Sequence, residues 1–255
     1  MENLTDLRLA VLIDADNVPY SNIKGILEEI ARYGIPTTKR IYADWTRPNA
    51  SGWKNVLLEN AITPIQQYSY TTGKNSSDAA LIIDAMDILY AGKVDGFCIV
   101  SSDSDFTRLA LRLREAGKRV IGIGEKKTPG SLIAACDKFI YLEIIGAAAA
   151  GESEPAVSKQ RSKSKTPKKK PEEPKVEKGI ISLIRNSIND VADESGWAFL
   201  GDVGSLILKK RTDFDPRNYG FEKLTPFIRA LPYFEVDERE TSNKYIKHIY
   251  FRNKS

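Results

Sequence analysis

Cysteine and histidine are almost missing from this 255-residue chain, which has two cysteines, Cys98 and Cys136, and one histidine, His248. Both cysteines sit inside apolar runs with no CxxC spacing, so disulfide scaffolds and zinc ribbons are disfavoured. A Ser-His or Cys-His nucleophile system is disfavoured too. No apolar stretch approaches the roughly 18–20 residues that span a bilayer. The opening MENLTDLRLA has neither a basic region nor an apolar core of the secretory kind. These absences predict a soluble cytoplasmic protein with no membrane partner. At 42% hydrophobic residues the chain can build a sizeable core, as one large domain or two smaller ones.

Charge is unevenly spread. Residues 1–150 carry 17 Lys and Arg against 18 Asp and Glu, residues 151–179 carry 9 against 5, and residues 180–255 carry 12 against 11. The net charge of +4 therefore lies almost wholly in the middle. That middle, AVSKQRSKSKTPKKKPEEPKVEK, is rich in Lys, Ser, Pro and Glu and nearly devoid of large apolar side chains. It cannot bury enough surface to offset its ordering entropy, which predicts a flexible basic linker over 147–177 between domains at 1–146 and 178–255. Its lysines could also touch phosphates non-specifically.

Before the linker, β-type runs alternate with helical patterns. LRLAVLIDAD, TTKRIYAD, ITPIQQYSY, DGFCIVSSD, KRVIGIGE and KFIYLE read as strands, several of them continuous Val/Ile/Leu runs suited to a sheet buried on both faces. Between them lie five segments with apolar residues at helical spacing. The predicted fold class is α/β, an open parallel sheet flanked by helices. After the linker, two helices, a third near YGFEKLTPFIRAL, and strands YFEVDER and KYIKHIYFR outline a small winged helix-turn-helix.

The position of the carboxylates carries the chemistry. Asp14 and Asp16 fall at the carboxyl end of the first strand, and Asp103 and Asp105 at the carboxyl end of FCIVSSDSD. In open α/β sheets that edge is where ligands bind. Asp78 opens the helix SSDAALIIDAMD, while Asp84 lies six residues on, some 120° around it. Clustered carboxylates repel, and a cation compensates them. With no His or Cys among them they select Mg²⁺ or Mn²⁺, ions suited to in-line phosphodiester displacement. Each acid also has a structural reading. Asp16 could cap a helix or hold the turn ADNVP, Asp103 and Asp105 could cap the helix that follows, and Asp84 and Asp87 could sit on a solvated edge. Membership of Asp16 and Asp84 in the site is left open.

Neutral and basic neighbours offer second roles. Ser101 and Ser102 could donate to a phosphate at a helix start. Asn17 could orient a metal-bound water. Lys74 and Asn75 could touch a nucleic-acid backbone. Trp45, Trp53 and Tyr70 could stack on unpaired bases, while Trp45 and Tyr70, at strand ends, also read as partly buried packing. In the last segment Lys209, Lys210, Arg211 and Arg217, with Lys244 and Lys247, are candidate phosphate contacts, while Tyr219, Phe221 and Phe227 read as core.

The segments VLIDADN, GKNSSDAALIIDAMDILYAG and IVSSDSDFTRLALRLREAGKRVIGIG, in this order over roughly residues 8–143, resemble the NYN branch of the PIN-like nuclease superfamily, in particular LabA-like and limkain-type domains. The resemblance implies a PIN-like sheet and a divalent-metal site. Asp14, Asp78 and Asp103 match the family's metal-coordinating acids, Asp105 the further acid of its SDxDF motif, and Asn17 its polar partner. Family members often have Val before the acid matched by Asp78, where this chain has Ser77. The segment FDPRNYGFEKLTPFIRALPYFEV is similar to the OST-HTH domain, also called LOTUS, which is linked to RNA binding.

Together these readings predict a Mg²⁺- or Mn²⁺-dependent endoribonuclease with Asp14, Asp78, Asp103 and Asp105 as metal-binding and catalytic acids. Its expected partner is single-stranded or structured RNA, and a homodimer or a protein partner is left open. The alternative is a non-catalytic RNA-binding or adaptor protein. A phosphatase of the haloacid-dehalogenase kind, suggested by Asp14 and Asp16, fits poorly because Pro19 closes the DADNVP turn.

Overall fold

The computed structural model describes residues 7–46, 52–68, 76–150, 176–240 and 247–254. The chain divides into two compact units, Met1–Glu152 and Ser153–Ser255.

The first unit holds six parallel strands: β1 (Arg8–Asp14), β2 (Ile35–Ala43), β3 (Thr63–Gln66), β4 (Gly96–Val100), β5 (Arg119–Gly124) and β6 (Lys138–Tyr141). Between and after them run helices α1 (Ile23–Ile30), α2 (Trp53–Glu59), α3 (Ser76–Ala91), α4 (Thr107–Glu115), α5 (Gly130–Ala135) and α6 (Leu142–Ala150). The α/β expectation holds, with spatial order β3-β2-β1-β4-β5-β6. The direction of winding reverses between β1 and β4, which puts a crevice at their carboxyl ends.

Period-2 alternation on the buried strands divides the core in two. Leu9, Val11 and Ile13 of β1 join Ile23, Ile26 and Ile30 of α1 and Leu57 of α2 on one face. Ala10 and Leu12 join Leu81 and Ala85 of α3, Leu109 and Leu113 of α4 and Leu132 of α5 on the other. Continuing the alternation, Asp14 falls on the α3 face.

Helix α6 was not among the helices expected from the sequence. Its small-residue run GAAAA continues helical to Ala150, four residues into the segment read as linker. Alanine's high helix propensity accounts for this once Ile144 and Ile145 anchor the helix on the core. Residues 151–175 of that segment lie outside the described residues.

The second unit contains α7 (Lys178–Val191), β7 (Ala198–Phe199), α8 (Leu200–Lys210), α9 (Leu224–Arg229), β8 (Phe234–Glu240) and β9 (Lys247–Asn253). Three helices and the antiparallel β8–β9 pair match the expected winged-helix outline. The two-residue β7, which pairs with β9, was not expected, because two residues leave no periodic signal. Ile180, Ile184, Val203, Ile207, Phe227, Phe234 and Phe251 form its core. Tyr219 stacks on Phe227 at 5.0 Å between ring centroids, and Phe221 packs on the same ring, so all three aromatics are structural. Among the described residues no helix is long and apolar enough to cross a membrane.

Candidate functional site

Three elements deliver carboxylates to the crevice between β1 and β4. Asp14 ends β1 on the α3 face and is 1% exposed. Asp78 lies in the first turn of α3, where the helix dipole favours an acid. Asp103 and Asp105 follow β4, and Asp103 caps the 3₁₀ turn Ser104–Phe106 by accepting from the Asp105 backbone N–H at 2.9 Å. Capping and site membership are thus compatible for Asp103.

Asp78, Asp103 and Asp105 bring one carboxylate oxygen each to within 4.8 Å of one another. Asp78 is 8% exposed. Burial, and then repulsion from Asp14, Asp103 and Asp105, pushes its carboxyl up to about 6. Asp14 stands outside this closest group but within its field. Its Oδ2 accepts from the Asn17 amide at 2.5 Å and from the Ser101 hydroxyl at 2.9 Å, and its Oδ1 accepts from the Asp16 backbone N–H at 3.1 Å. Burial raises the Asp14 pKa, and these three donors pull it back. The donors offset part of the cost of burying its charged form, and the net shift remains upward.

The same Ser101 hydroxyl accepts from the Asp103 backbone N–H at 3.1 Å, which ties the β1 acid to the loop after β4. Ser102 accepts from the Glu125 backbone N–H at 2.9 Å. Both serines are buried, and their hydroxyls serve these internal bonds. Gly124 ends β5 against this loop. A Cβ there would lie 2.7 Å from the Ser101 carbonyl oxygen, 2.8 Å from Thr128 Oγ1 and 3.0 Å from Ser102 Oγ. Nothing in the sequence marks Gly124 and Thr128 as part of the site beyond the glycine that closes the strand IGIG.

The structure separates the other candidates from this group. Asp16 is exposed, and only its backbone N–H joins the site. It caps no helix, because Pro19 occupies the cap of the turn that leads into α1. Asp84 faces β2, where it pairs with Arg40 and accepts from the Tyr42 hydroxyl, so it is not a solvated edge. Asp87 is exposed. Trp53 is buried and Trp45 donates from Nε1 to the Ile65 carbonyl, so both pack. Tyr70, Lys74 and Asn75 lie outside the described residues.

In the second unit most of the candidate cations are engaged. Lys210 pairs with Asp190, Arg211 with Asp213, and Arg217 with Asp215. Asp215 also caps the 3₁₀ turn Pro216–Tyr219 by accepting from the Arg217 N–H. Lys209 is exposed, Lys247 lies near Glu238 at 3.6 Å, and Lys244 is outside the described residues.

Acids from β1, α3 and the loop after β4, at the switch point of a parallel sheet, define a PIN-like α/β domain. The NYN domain is matched over residues 8–143, more than half of the chain, and the chain belongs to the NYN family. The OST-HTH/LOTUS domain is matched over residues 172–246. These domains support a nuclease-type, RNA-associated role. No curated protein matches the chain. Among solved structures, a protein of unknown function from Vibrio parahaemolyticus is 21% identical over 55% of this chain and 94% of its own, with a TM-score of 0.45. An uncharacterised Nitrosomonas europaea protein is 30% identical over 38% of this chain and 93% of its own, TM-score 0.29. A Chromobacterium violaceum protein is 32% identical over 32% of this chain and 87% of its own, TM-score 0.25.

Proposed function

We propose that the protein is a divalent-metal-dependent endoribonuclease that hydrolyses RNA phosphodiester bonds, with RNA recruited by the C-terminal domain. The observation that carries this reading is the approach of the Asp78, Asp103 and Asp105 oxygens to within 4.8 Å. Carboxylates so close raise one another's proton affinity, and a cation relieves the repulsion. A donor set of oxygens alone fits Mg²⁺ or Mn²⁺, held by Asp78, Asp103 and Asp105. When bound, such an ion supplies Lewis acidity toward a phosphoryl oxygen and toward water.

The remaining roles belong to the chain itself. Asp14 adds negative charge beneath the group and anchors Asn17 and Ser101. Asp105, exposed, would hold the cation from the solvent side, where the phosphodiester arrives. Ser101 and Ser102 keep the loop after β4 in shape rather than touch substrate. Lys74 and Lys209 bind the RNA backbone, while Lys210, Arg211 and Arg217 act first as structural ion-pair partners. The basic segment that follows α6, residues 151–177, tethers the two domains and raises the local concentration of RNA at the acids.

The test is cleavage of end-labelled single-stranded RNA by the full chain with Mg²⁺, Mn²⁺ or EDTA, beside folded Asp14→Asn and Asp103→Asn variants. Cuts that need metal and vanish in both variants support the proposal. Wild type that binds RNA and leaves it intact with both metals overturns it in favour of the non-catalytic RNA-binding reading.

A further inference from the structure

Alternation along the strands of the second unit sends Ala198, Phe234, Val236, Ile249 and Phe251 to the core side of its sheet. The other face looks away from the helices. There β7 and the residue before it present Phe199 and Trp197, β9 presents His248, Tyr250 and Arg252, and β8 presents Arg239 beside two acids. An outward sheet face is ordinarily polar, yet half of these positions carry rings. Among the described residues no aliphatic side chain stands on this face.

The planar groups lie against one another. The Arg239 guanidinium carbon is 4.1 Å from the ring centroid of Tyr250 and 5.5 Å from that of Trp197, and the Arg252 guanidinium carbon is 4.6 Å from Trp197. Phe199 packs with its centroid 5.7 Å from Tyr250 and 5.2 Å from His248. Both acids are neutralised on the face itself, Asp237 by Arg239 at 3.0 Å and Glu235 by Arg252. The two arginine side chains are each 41% exposed, His248 is exposed and the other three rings are half-buried.

We propose that this face is a stacking platform for the unpaired bases of single-stranded RNA. The inference rests on the reading of this domain as the one that recruits RNA, and adds the surface and the form of RNA it takes. Bases stack on aromatic rings and on guanidinium planes, and the solvent face of an antiparallel sheet holds such groups in fixed positions. Here the rings hold the guanidinium groups by cation–π attraction, with the arginine side chains still open to solvent. A duplex hides its base faces, so the platform selects unpaired strands. From His248 to Arg252 the face runs about 13 Å, and three strands make it about 10 Å wide, which leaves room for two or three bases. With each arginine paired to an acid, the contact is stacking rather than attraction for phosphate, unlike that of Lys209. Nor does the face offer the aliphatic groove that receives a partner helix.

Anisotropy titrations of the full chain with labelled oligo(U) and with an RNA duplex of the same length test the platform. His248→Ala and Tyr250→Ala should each weaken single-strand binding about tenfold and leave duplex binding unchanged, while Tyr250→Phe should stay within about twofold of wild type. The salt slope should keep its wild-type value in all three, because no phosphate contact is removed. His248 is exposed, so its variant keeps the fold. In the wild-type chain, irradiation of a bound thiouridine-bearing strand should attach it to peptides that contain Trp197, Phe199, His248 or Tyr250. Wild-type single-strand affinity in both alanine variants, or adducts confined to other peptides, would overturn the platform and leave RNA binding standing. A wild-type chain that binds no RNA would overturn the recruiting role and the platform together.

Discussion

Asp14 and Ser101 are 87 residues apart in the chain and 2.9 Å apart in the fold. Their bond joins the ends of β1 and β4, the two strands between which the winding of the sheet reverses, and the acidic group takes its shape from that join.

Replacing Ser101 by alanine removes a donor to Asp14 and an acceptor for the Asp103 N–H in one step. A loss of about 1–3 kcal/mol is expected for buried partners left without their bonds. Chemical denaturation of the metal-free protein measures it. Stability within a few tenths of wild type would show that water replaces the hydroxyl without cost.

Asp78 makes the metal-free fold sensitive to pH. Its folded pKa of about 6 lies above the ordinary 3.8, so the folded chain holds a proton that the unfolded chain has released between those values. Stability from this group is therefore present at pH 4 and lost as pH rises through 6. In EDTA, Asp78→Asn should melt at nearly the wild-type temperature at pH 4 and above it at pH 7. A melting difference that does not change with pH would contradict the shift.

Metal should stabilise the fold through the acids that lie together and not through Asp84. At a hundredfold excess over its dissociation constant a ligand adds about 2.7 kcal/mol, which raises the melting temperature of a domain this size by about 5 °C or more. Mn²⁺ or Mg²⁺ should produce that rise in wild type and much less in Asp103→Asn or Asp105→Asn. Asp84→Asn should lower the baseline melting temperature, because Arg40 and Tyr42 lose their partner, yet keep the metal-dependent rise. Equal metal responses in all four proteins would detach the cation from these carboxylates.

Gly124→Ala should disturb the site without touching an acid. Its Cβ would come within 3.0 Å of Ser101, Ser102 and Thr128 atoms, and the clash with the Ser101 carbonyl is with backbone that cannot rotate away. A cost of about 1–3 kcal/mol is expected, together with weaker metal binding by calorimetric titration. Unchanged metal affinity would mean that the loop after β4 absorbs the methyl.

In the C-terminal domain, Lys209→Ala should weaken RNA binding about equally across sequences and reduce the salt slope by about one, with no change in melting. Arg217→Ala should act through stability, because its guanidinium holds the Asp215 cap. A filter-binding series at several salt concentrations, paired with thermal melts, separates the two. RNA affinity lost in Arg217→Ala without any loss of stability would return that arginine to the RNA interface.

The six strands and the first five helices of the first unit are legible in the sequence because continuous apolar runs alternate with segments of helical spacing, whereas α6 and the face that Asp14 takes are not, since a run buried on both faces carries no alternation. Legible too was the gathering of acids, since strand ends and helix starts leave punctuation in the sequence. Partner choice was not. Nothing local tells that Asp84 will find Arg40 and Tyr42, which are more than forty residues away. Nor does anything local tell that the hydroxyls of Ser101 and Ser102 will turn inward. Arg211 and Arg217 pair with acids only two residues away, so in their case the local sequence does carry a signal for an ion pair in place of a phosphate contact.

The strand order bears on how the first unit comes into being. β2 lies beside β1, β3 beside β2, β4 on the other side of β1, then β5 beside β4 and β6 beside β5. In a chain emerging amino end first, every strand after the first therefore meets a neighbour that has already been synthesised, and none must wait for a later one. The carboxylates are all in hand once residue 105 has followed β4. The loop that carries Asp103 and Asp105 is nevertheless fastened only when β5 arrives, through the bonds of Ser101 N–H to the Ile123 carbonyl and of Glu125 N–H to Ser102, so the acidic edge is gathered before it is locked.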